Sequence, residues 1–205
     1  MDAVEERLVG VVSRARALGF LGPGDLEEHI EHATGWLAVI PSGTKVLDLG
    51  SGGGLPGLVV AAHRPDVVLT LLDSQRKRCS FLREALEDLG RPDVDVACGR
   101  AEVLARDPGL RGSFGIVCAR SFGQPAVTAE CGVGFLSPGG CLWVSEPPGL
   151  RAEERWPTEG LALLGLRRGE FIGGPSVNLQ QLVLDGACDD RHPRGDGRPA
   201  KRPLF

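Results

Sequence analysis

The sequence predicts a doubly wound α/β fold on a mainly parallel sheet, and three observations carry that prediction. Short apolar runs alternate with helical segments from Lys45 onward, the runs are continuous in their apolar character, and the first of them ends in a glycine-rich turn. Strands of that kind are buried on both faces, which a parallel sheet covered by helices on each side provides. The 205 residues, 42% of them hydrophobic, suffice for one core, so one domain with short appendages is expected.

The elements follow in order. Leu8, Val11, Val12, Ala15 and Leu18 recur at helical spacing and predict a helix over Val4 to Leu18, which LGPGD then breaks. A second helix is expected from Leu26 to Ile40, with Asp25 as N-cap and Glu27 and Glu28 in the first turn, where the helix dipole favours negative charge. PSGT closes it, and residues 1–43 read as an N-terminal helical cap. Residues 44–187 read as a Rossmann-like domain. Its strands are expected at Val46 to Leu49, Val67 to Leu72, Asp93 to Ala97, Gly115 to Ala119 and Cys141 to Ser145, with further apolar runs at Arg167 to Phe171 and Leu179 to Leu184. Helices are expected at Leu55 to His63, Arg76 to Leu89 and Pro125 to Phe135. Residues 188–205 carry five Arg or Lys residues and three prolines, and are expected to be a flexible basic tail in which Arg194-Gly195-Asp196 is a chance triplet.

Composition narrows the function. No apolar run approaches the ~20 residues that cross a bilayer, and the charged start MDAVEERLVG is unlike a signal sequence, so a cytoplasmic location without membrane contact is expected. Six cysteines are dispersed without a C-x-x-C pair and read as reduced core residues, with no metal site or disulfide. His29 and His32, one helical turn apart, lack a third ligand and read as packing or surface residues. A formal net charge of −4 gives no global attraction to nucleic acid, leaving a local basic face as the route to such a partner.

The chemistry concentrates in VLDLGSGGGLPGLVVAAHRPDVVLTLLDS. In doubly wound folds ligands bind outside the carboxyl ends of the strands, and the first strand ends at Leu49. Gly50, Gly52 and Gly54 therefore fall where side chains would hinder a ligand and where backbone N–H groups at a helix start are free to bind one. Asp73 ends the second strand, placed to accept both hydroxyls of a ribose, so turn plus acid reads as a nucleoside-cofactor site. Gly52, Gly54 and Gly57 also satisfy the dinucleotide spacing G-x-G-x-x-G, but Pro56 removes an N–H from the turn that would meet a pyrophosphate. Leu58 stands where a P-loop requires lysine. Asp48, in the strand end before the glycines, suits the ammonium of S-adenosyl-L-methionine; a dinucleotide and an unliganded turn are the other readings of this stretch.

The segment LDLGSGGGLPGLVVAAHRPDVVLTLLDSQRKRCSFL resembles the cofactor half of the RsmG (GidB) family, methyltransferases that modify N7 of a guanine in small-subunit ribosomal RNA. GLPG after the glycine loop and LLDS before a basic helix start are the specific features; the likeness is strong from Val46 to Leu89 and weaker to Val144. The resemblance implies a class I S-adenosyl-L-methionine-dependent methyltransferase fold, with Asp48, Gly50, Ser51, Gly52, Gly54, Asp73 and Ser74 around the cofactor. GRAE resembles the loop where the family sets adenine against Ala101 and Glu102, and CARSFG implies that Arg120 is the arginine beside both cofactor and methyl transfer.

The acceptor side departs from the family. His29 matches, but His32-Ala33 replaces Asp-Ser, Glu146-Pro147 replaces Lys-Gly after the fifth strand, and SVNLQQLVL lacks a basic residue before the last strand. Ribosomal RNA or the small subunit is the partner implied by the resemblance; the altered side leaves a small-molecule acceptor, or a non-catalytic cofactor-binding regulator, as the alternatives.

Overall fold

The computed structural model describes residues 3–149, 151–195 and 197–205, so Asp196 of the Arg-Gly-Asp triplet lies outside the described residues. The strands are β1 (Lys45–Leu49), β2 (Val68–Asp73), β3 (Asp95–Cys98), β4 (Phe114–Ala119), β5 (Leu136–Ser145), β6 (Leu166–Gly173) and β7 (Asn178–Leu184). They form one sheet in the order β3-β2-β1-β4-β5-β7-β6. β1 to β5 pair in parallel, and β7 runs antiparallel to both its neighbours. The helices are α1 (Ala3–Ala17), α2 (Leu26–Thr34), α3 (Gly57–His63), α4 (Arg76–Asp88), α5 (Ala101–Leu104), α6 (Pro125–Val133), α7 (Ala152–Arg155), α8 (Thr158–Ala162) and α9 (Arg198–Lys201).

The continuous apolar runs hide a period-two division between two cores. Val46, Leu69, Leu71, Ile116 and Cys118 face one core with α1, α3 and α4. Leu47, Leu49, Leu72, Val117 and Ala119 face the other, with α5, α6 and α8. Two covered faces are what parallel strands need, because every residue of the strand is then buried. The N-terminal helices share the first core through Leu8, Val11, Val12 and Ala15, so they cover the sheet directly.

Three expectations differ from the structure. Asp25 sits at the N-cap of α2 without a side-chain capping bond, and the helix gives way after Thr34 to a 3-10 turn over Gly35–Val39 that carries Trp36 into the core. β5 extends back through Ser137-Pro138-Gly139-Gly140, because Leu136 pairs with Phe114 ahead of a register shift. Residues 188–205 are the third: their described part is packed, with Arg194 against the fully buried Glu130 and Phe205 against the second core. The basic composition suggested a loose tail because it shows few apolar residues, and it is buried charge pairing that secures the segment. All six cysteines are free; Cys79, Cys118 and Cys131 are buried as expected, whereas Cys98 is exposed and Cys141 and Cys188 lie between.

Candidate active site

β1 stops at Leu49 and the chain turns through Gly50 (φ +73°) and Gly52 (φ +56°). A Cβ on Gly50 would stand 2.5 Å from the Phe122 ring. At Gly52 a Cβ would meet only the Gly50 carbonyl oxygen, at an ordinary 3.7 Å, and the left-handed backbone alone would cost an L-residue about 1–2 kcal/mol. The Gly52 N–H donates to Asp73 Oδ2 at 2.9 Å, and the Gln75 N–H to Oδ1 of the same carboxylate at 2.8 Å. Ser51 joins β1 to β2: its N–H donates to the Leu72 carbonyl (2.8 Å), and its Oγ donates to the Asp48 carbonyl (3.0 Å) while accepting from the Leu72 N–H (3.1 Å).

Asp48 lies beneath this loop. Its Oδ2 accepts the Gly57 N–H at 3.1 Å at the start of α3, and only 2% of the residue is exposed. Burial pushes its carboxyl up to about 6, opposed by the Gly57 bond and by Arg120. Gly54 is likewise buried against Leu58.

Three adjoining cavities run along the carboxyl ends of the strands. The first, about 290 Å³, is lined by Gly50, Asp73, Ser74, Ala101 and Glu102 together with Val127 and Cys131 of α6. Burial pushes the Cys131 thiol up to about 12, so this wall stays uncharged. The second, about 420 Å³, is bounded by Phe20 to Pro23, His29, Gly50 to Gly53, Arg78 and Arg120. The third, about 370 Å³, lies between His32, Arg120, Phe122, Ser145, Glu146 and Arg155. Ser121 borders all three and has φ +54°, the one non-glycine residue with positive φ among those described. Backbone held in that region is costly and persists where its surroundings fix it, which marks the junction of the cavities as a built feature.

The third cavity is assembled by side chains. Arg120 Nη2 donates to His29 Nδ1 at 2.8 Å, which leaves the His29 hydrogen on Nε2, 3.2 Å from the Gly22 carbonyl. Arg120 Nη1 is buried with no protein partner. His32 Nε2 lies 3.1 Å from Ser145 Oγ, and burial, followed by the charges of Arg120 and His29, lowers its imidazole to about 4. Glu146 accepts a bond from Trp156 Nε1 (2.7 Å) and pairs with Arg155 at 2.6 Å. Just past β5 the chain therefore has an inward carboxylate whose partner guanidinium reaches the same cavity.

The sequence family described as rRNA small subunit methyltransferase G (GidB) matches residues 23–146. This chain belongs to that family. Ribosomal RNA small subunit methyltransferase G of Moorella thermoacetica is 34% identical over 173 residues, covering 80% of this chain and 71% of that protein. The protein of the same name from Pelotomaculum thermopropionicum is 30% identical over 212 residues, covering 98% of this chain and 89% of its own. In fold the chain is similar to a SAM dependent methyltransferase from Aquifex aeolicus (TM-score 0.60, 15% identity, 84% of this chain and 98% of that one) and to the antibiotic-resistance methyltransferase Kmr (TM-score 0.55, 16% identity, 74% and 93%). As a GidB-family protein it is an S-adenosyl-L-methionine-dependent methyltransferase with the Rossmann-like fold of that class.

The residues present suit that cofactor. Gly50, Ser74, Asp73, Ala101 and Glu102 border one cavity, and Gly50, Ser51, Gly52 and Arg120 border the next. Asp48 and Gly54 border neither and act on the loop from behind. Sequence reasoning took His29 and His32 as packing or surface residues and passed over Ser121 and Phe122. Arg78, within the basic run at the start of α4, reads from sequence as solvated; its guanidinium is folded back over Phe20 at 5.8 Å and borders the first and second cavities. Among the described residues no cluster of three metal-ligating side chains occurs, and no helix is long and apolar enough to cross a membrane.

Proposed function

We propose that this protein methylates N7 of a guanine in the RNA of the small ribosomal subunit. The observation that supports it is that the three cavities meet at Ser121, with Arg120 between the second and third and its Nη1 unpartnered. The nucleoside of the cofactor belongs in the first cavity, with its ribose at Asp73 and its adenine against Ala101, and its amino acid part belongs over Gly50 to Gly52. The target base belongs in the third.

When bound, the cofactor presents a methyl group on a positively charged sulfur. Guanine N7 has a lone pair and no proton to lose, so the protein's task is alignment at about 3 Å rather than acid–base work. His32, with its imidazole lowered to about 4, is neutral at pH 7 and adds no positive charge beside a base that becomes cationic on methylation. Arg120 offers Nη1 to a base oxygen or to the cofactor carboxylate, while His29 fixes its plane. An RNA base enters such a cavity only after leaving its stack, and the half-buried Arg155 on its wall, with the exposed Arg151 in the neighbouring cavity that Arg155 also lines, is placed to meet phosphate.

Methylation of a small molecule is the second reading, favoured by Glu146 in the acceptor cavity and by the net charge of −4. The decisive experiment supplies labelled S-adenosyl-L-methionine with small ribosomal subunits, naked RNA and pooled metabolites, followed by nucleoside mass spectrometry. Label in 7-methylguanosine from the subunit supports the proposal; label confined to the metabolite fraction overturns it.

A further inference from the structure

The C-terminal segment lies beyond the family match at residue 146, yet Pro199 and Ala200 of α9 border the first cavity opposite Gly50 and Leu72. The cavity keeps its volume of about 290 Å³ with these residues in place, so they form a wall and do not fill it.

Several bonds hold that wall. Glu130, on the otherwise apolar α6, is fully buried; its Oε1 accepts the Arg194 N–H (2.8 Å) and Nε (2.7 Å), and its Oε2 accepts Nη2 (2.7 Å). A carboxylate without water needs such a set of partners. Arg106 donates to the Pro193 carbonyl at 2.6 Å, and Arg111 to those of His192 and Asp189 at 2.9 and 3.1 Å. Nearest the cavity, Glu102 Oε1 accepts the Gly197 N–H at 3.0 Å along with two bonds from Arg100. The family resemblance sets Glu102 beside adenine; here its carboxylate also ties the C-terminal segment to the edge of that cavity.

We infer that Pro199 and Ala200 are part of the cofactor site, closing the adenine side with an apolar surface, and that Glu130 and Arg194 are positioning residues for them. This rests on the reading of the first cavity as the place of the cofactor's nucleoside. Cofactor and segment then stabilise one another: ligand contacts hold Pro199 and Ala200 in place, and the Glu130 anchor reduces the ordering that the ligand must impose.

The test combines calorimetric titration with S-adenosyl-L-methionine and limited trypsin digestion. In this segment trypsin cuts after Arg191, Arg194 and Lys201, since Arg198 and Arg202 precede proline, and the last two cuts report on the wall. The cofactor is expected to slow these cuts in the unmodified protein. Ala200→Glu is expected to weaken binding roughly tenfold or more, because Ala200 is exposed in the free protein and a bound nucleoside would cover the added carboxylate. Glu130→Gln should weaken binding severalfold and abolish the cofactor's protection of the Arg194 and Lys201 sites, with helical circular dichroism unchanged. A merely structural anchor would shift melting temperature without changing ligand-dependent protection. If the cofactor fails to bind the unmodified protein, the cofactor reading of the cavity falls, and this inference with it. If Asp73→Asn weakens binding while Ala200→Glu and Glu130→Gln match the unmodified protein in affinity and protection, the wall alone is refuted. Tighter binding by Ala200→Glu or Glu130→Gln would also refute it, by showing that the segment obstructs the site.

Discussion

On the side of the sheet edge that we assign to the cofactor the anchors are backbone N–H groups: Gly52 and Gln75 donate to Asp73, and Gly57 donates to Asp48. Across Ser121, on the acceptor side, Arg120 meets His29 91 residues away and His32 meets Ser145 113 residues away, each through side chains alone. Backbone anchoring demands particular φ values and short carboxylates, so few sequences satisfy it. Side-chain anchoring demands only that some donor and acceptor meet, and can be rebuilt with other residues. Where the family resemblance leads one to expect Asp-Ser and Lys-Gly, this chain has His32-Ala33 and Glu146-Pro147, and it closes this region with a His32–Ser145 contact and a Glu146–Arg155 pair. The difference teaches that one side of the sheet edge is held by backbone geometry and the other by side chains that other residues could replace.

The largest effect should come from disturbing the backbone on the cofactor side. Gly52→Val forces a β-branched residue to φ +56° and turns its side chain toward the second cavity. Cofactor affinity should fall more than about 100-fold while the strain costs the fold only about 1–2 kcal/mol. Titration and thermal melting on the same variant separate the two, and unchanged affinity would remove the glycine turn from the site.

Next comes the acceptor side, where the expected signature is reversed. Arg120→Ala should lower methyl transfer about 100-fold, the penalty of a misplaced reacting group, with cofactor affinity held within about threefold. Equal losses in affinity and turnover would instead assign Arg120 wholly to the cofactor and erase the contrast. A smaller effect on the first side follows from Asp73→Asn, which keeps the size but loses the charge that gathers two N–H groups. Charge-assisted bonds of that kind are worth about 1.5–3 kcal/mol, so affinity should fall about 10- to 100-fold and recover partly in Asp73→Glu.

The same contrast governs what the sequence discloses. Strand positions, the turn at Gly50 to Gly52 and the acid at Asp73 are legible because each follows from neighbours along the chain: a continuous apolar run, a residue without Cβ, a carboxylate at a strand end. The contact of His29 with Arg120 is not, since nothing near either residue announces a partner 91 positions away. The packed C-terminus lies between these cases. Its own composition points to mobility, but PAVTAECGV carries a lone glutamate in an apolar helix, and a charge so placed requires a partner from elsewhere. Glu130 was the available signal, and Arg194 is its answer.

The smallest effect is one in which the two sides oppose each other. Asp48 has its carboxyl raised by burial to about 6, so the folded protein holds that proton more tightly than the unfolded chain; its contribution is present below pH 4 and is lost as pH rises to about 6. His32 has its imidazole lowered to about 4, and its contribution is present above pH 6.5 and is lost as pH falls to about 4. Between pH 4 and 6 the two slopes therefore have opposite sign, and together they should leave stability nearly flat in that window. Asp48→Asn exposes the histidine slope, so its melting temperature should fall as the medium is acidified. His32→Gln exposes the carboxylate slope, so its melting temperature should fall as pH rises from 4 to 6. Each slope should amount to about 1–2 kcal/mol across the window once solvent relaxation around a partly buried group is allowed for. Because Arg120 acts on both groups, favouring ionised Asp48 and disfavouring charged His32, Arg120→Ala should move both transitions to higher pH. Parallel pH profiles for the two single variants would show that the halves of the site are not held apart in charge as the structure places them.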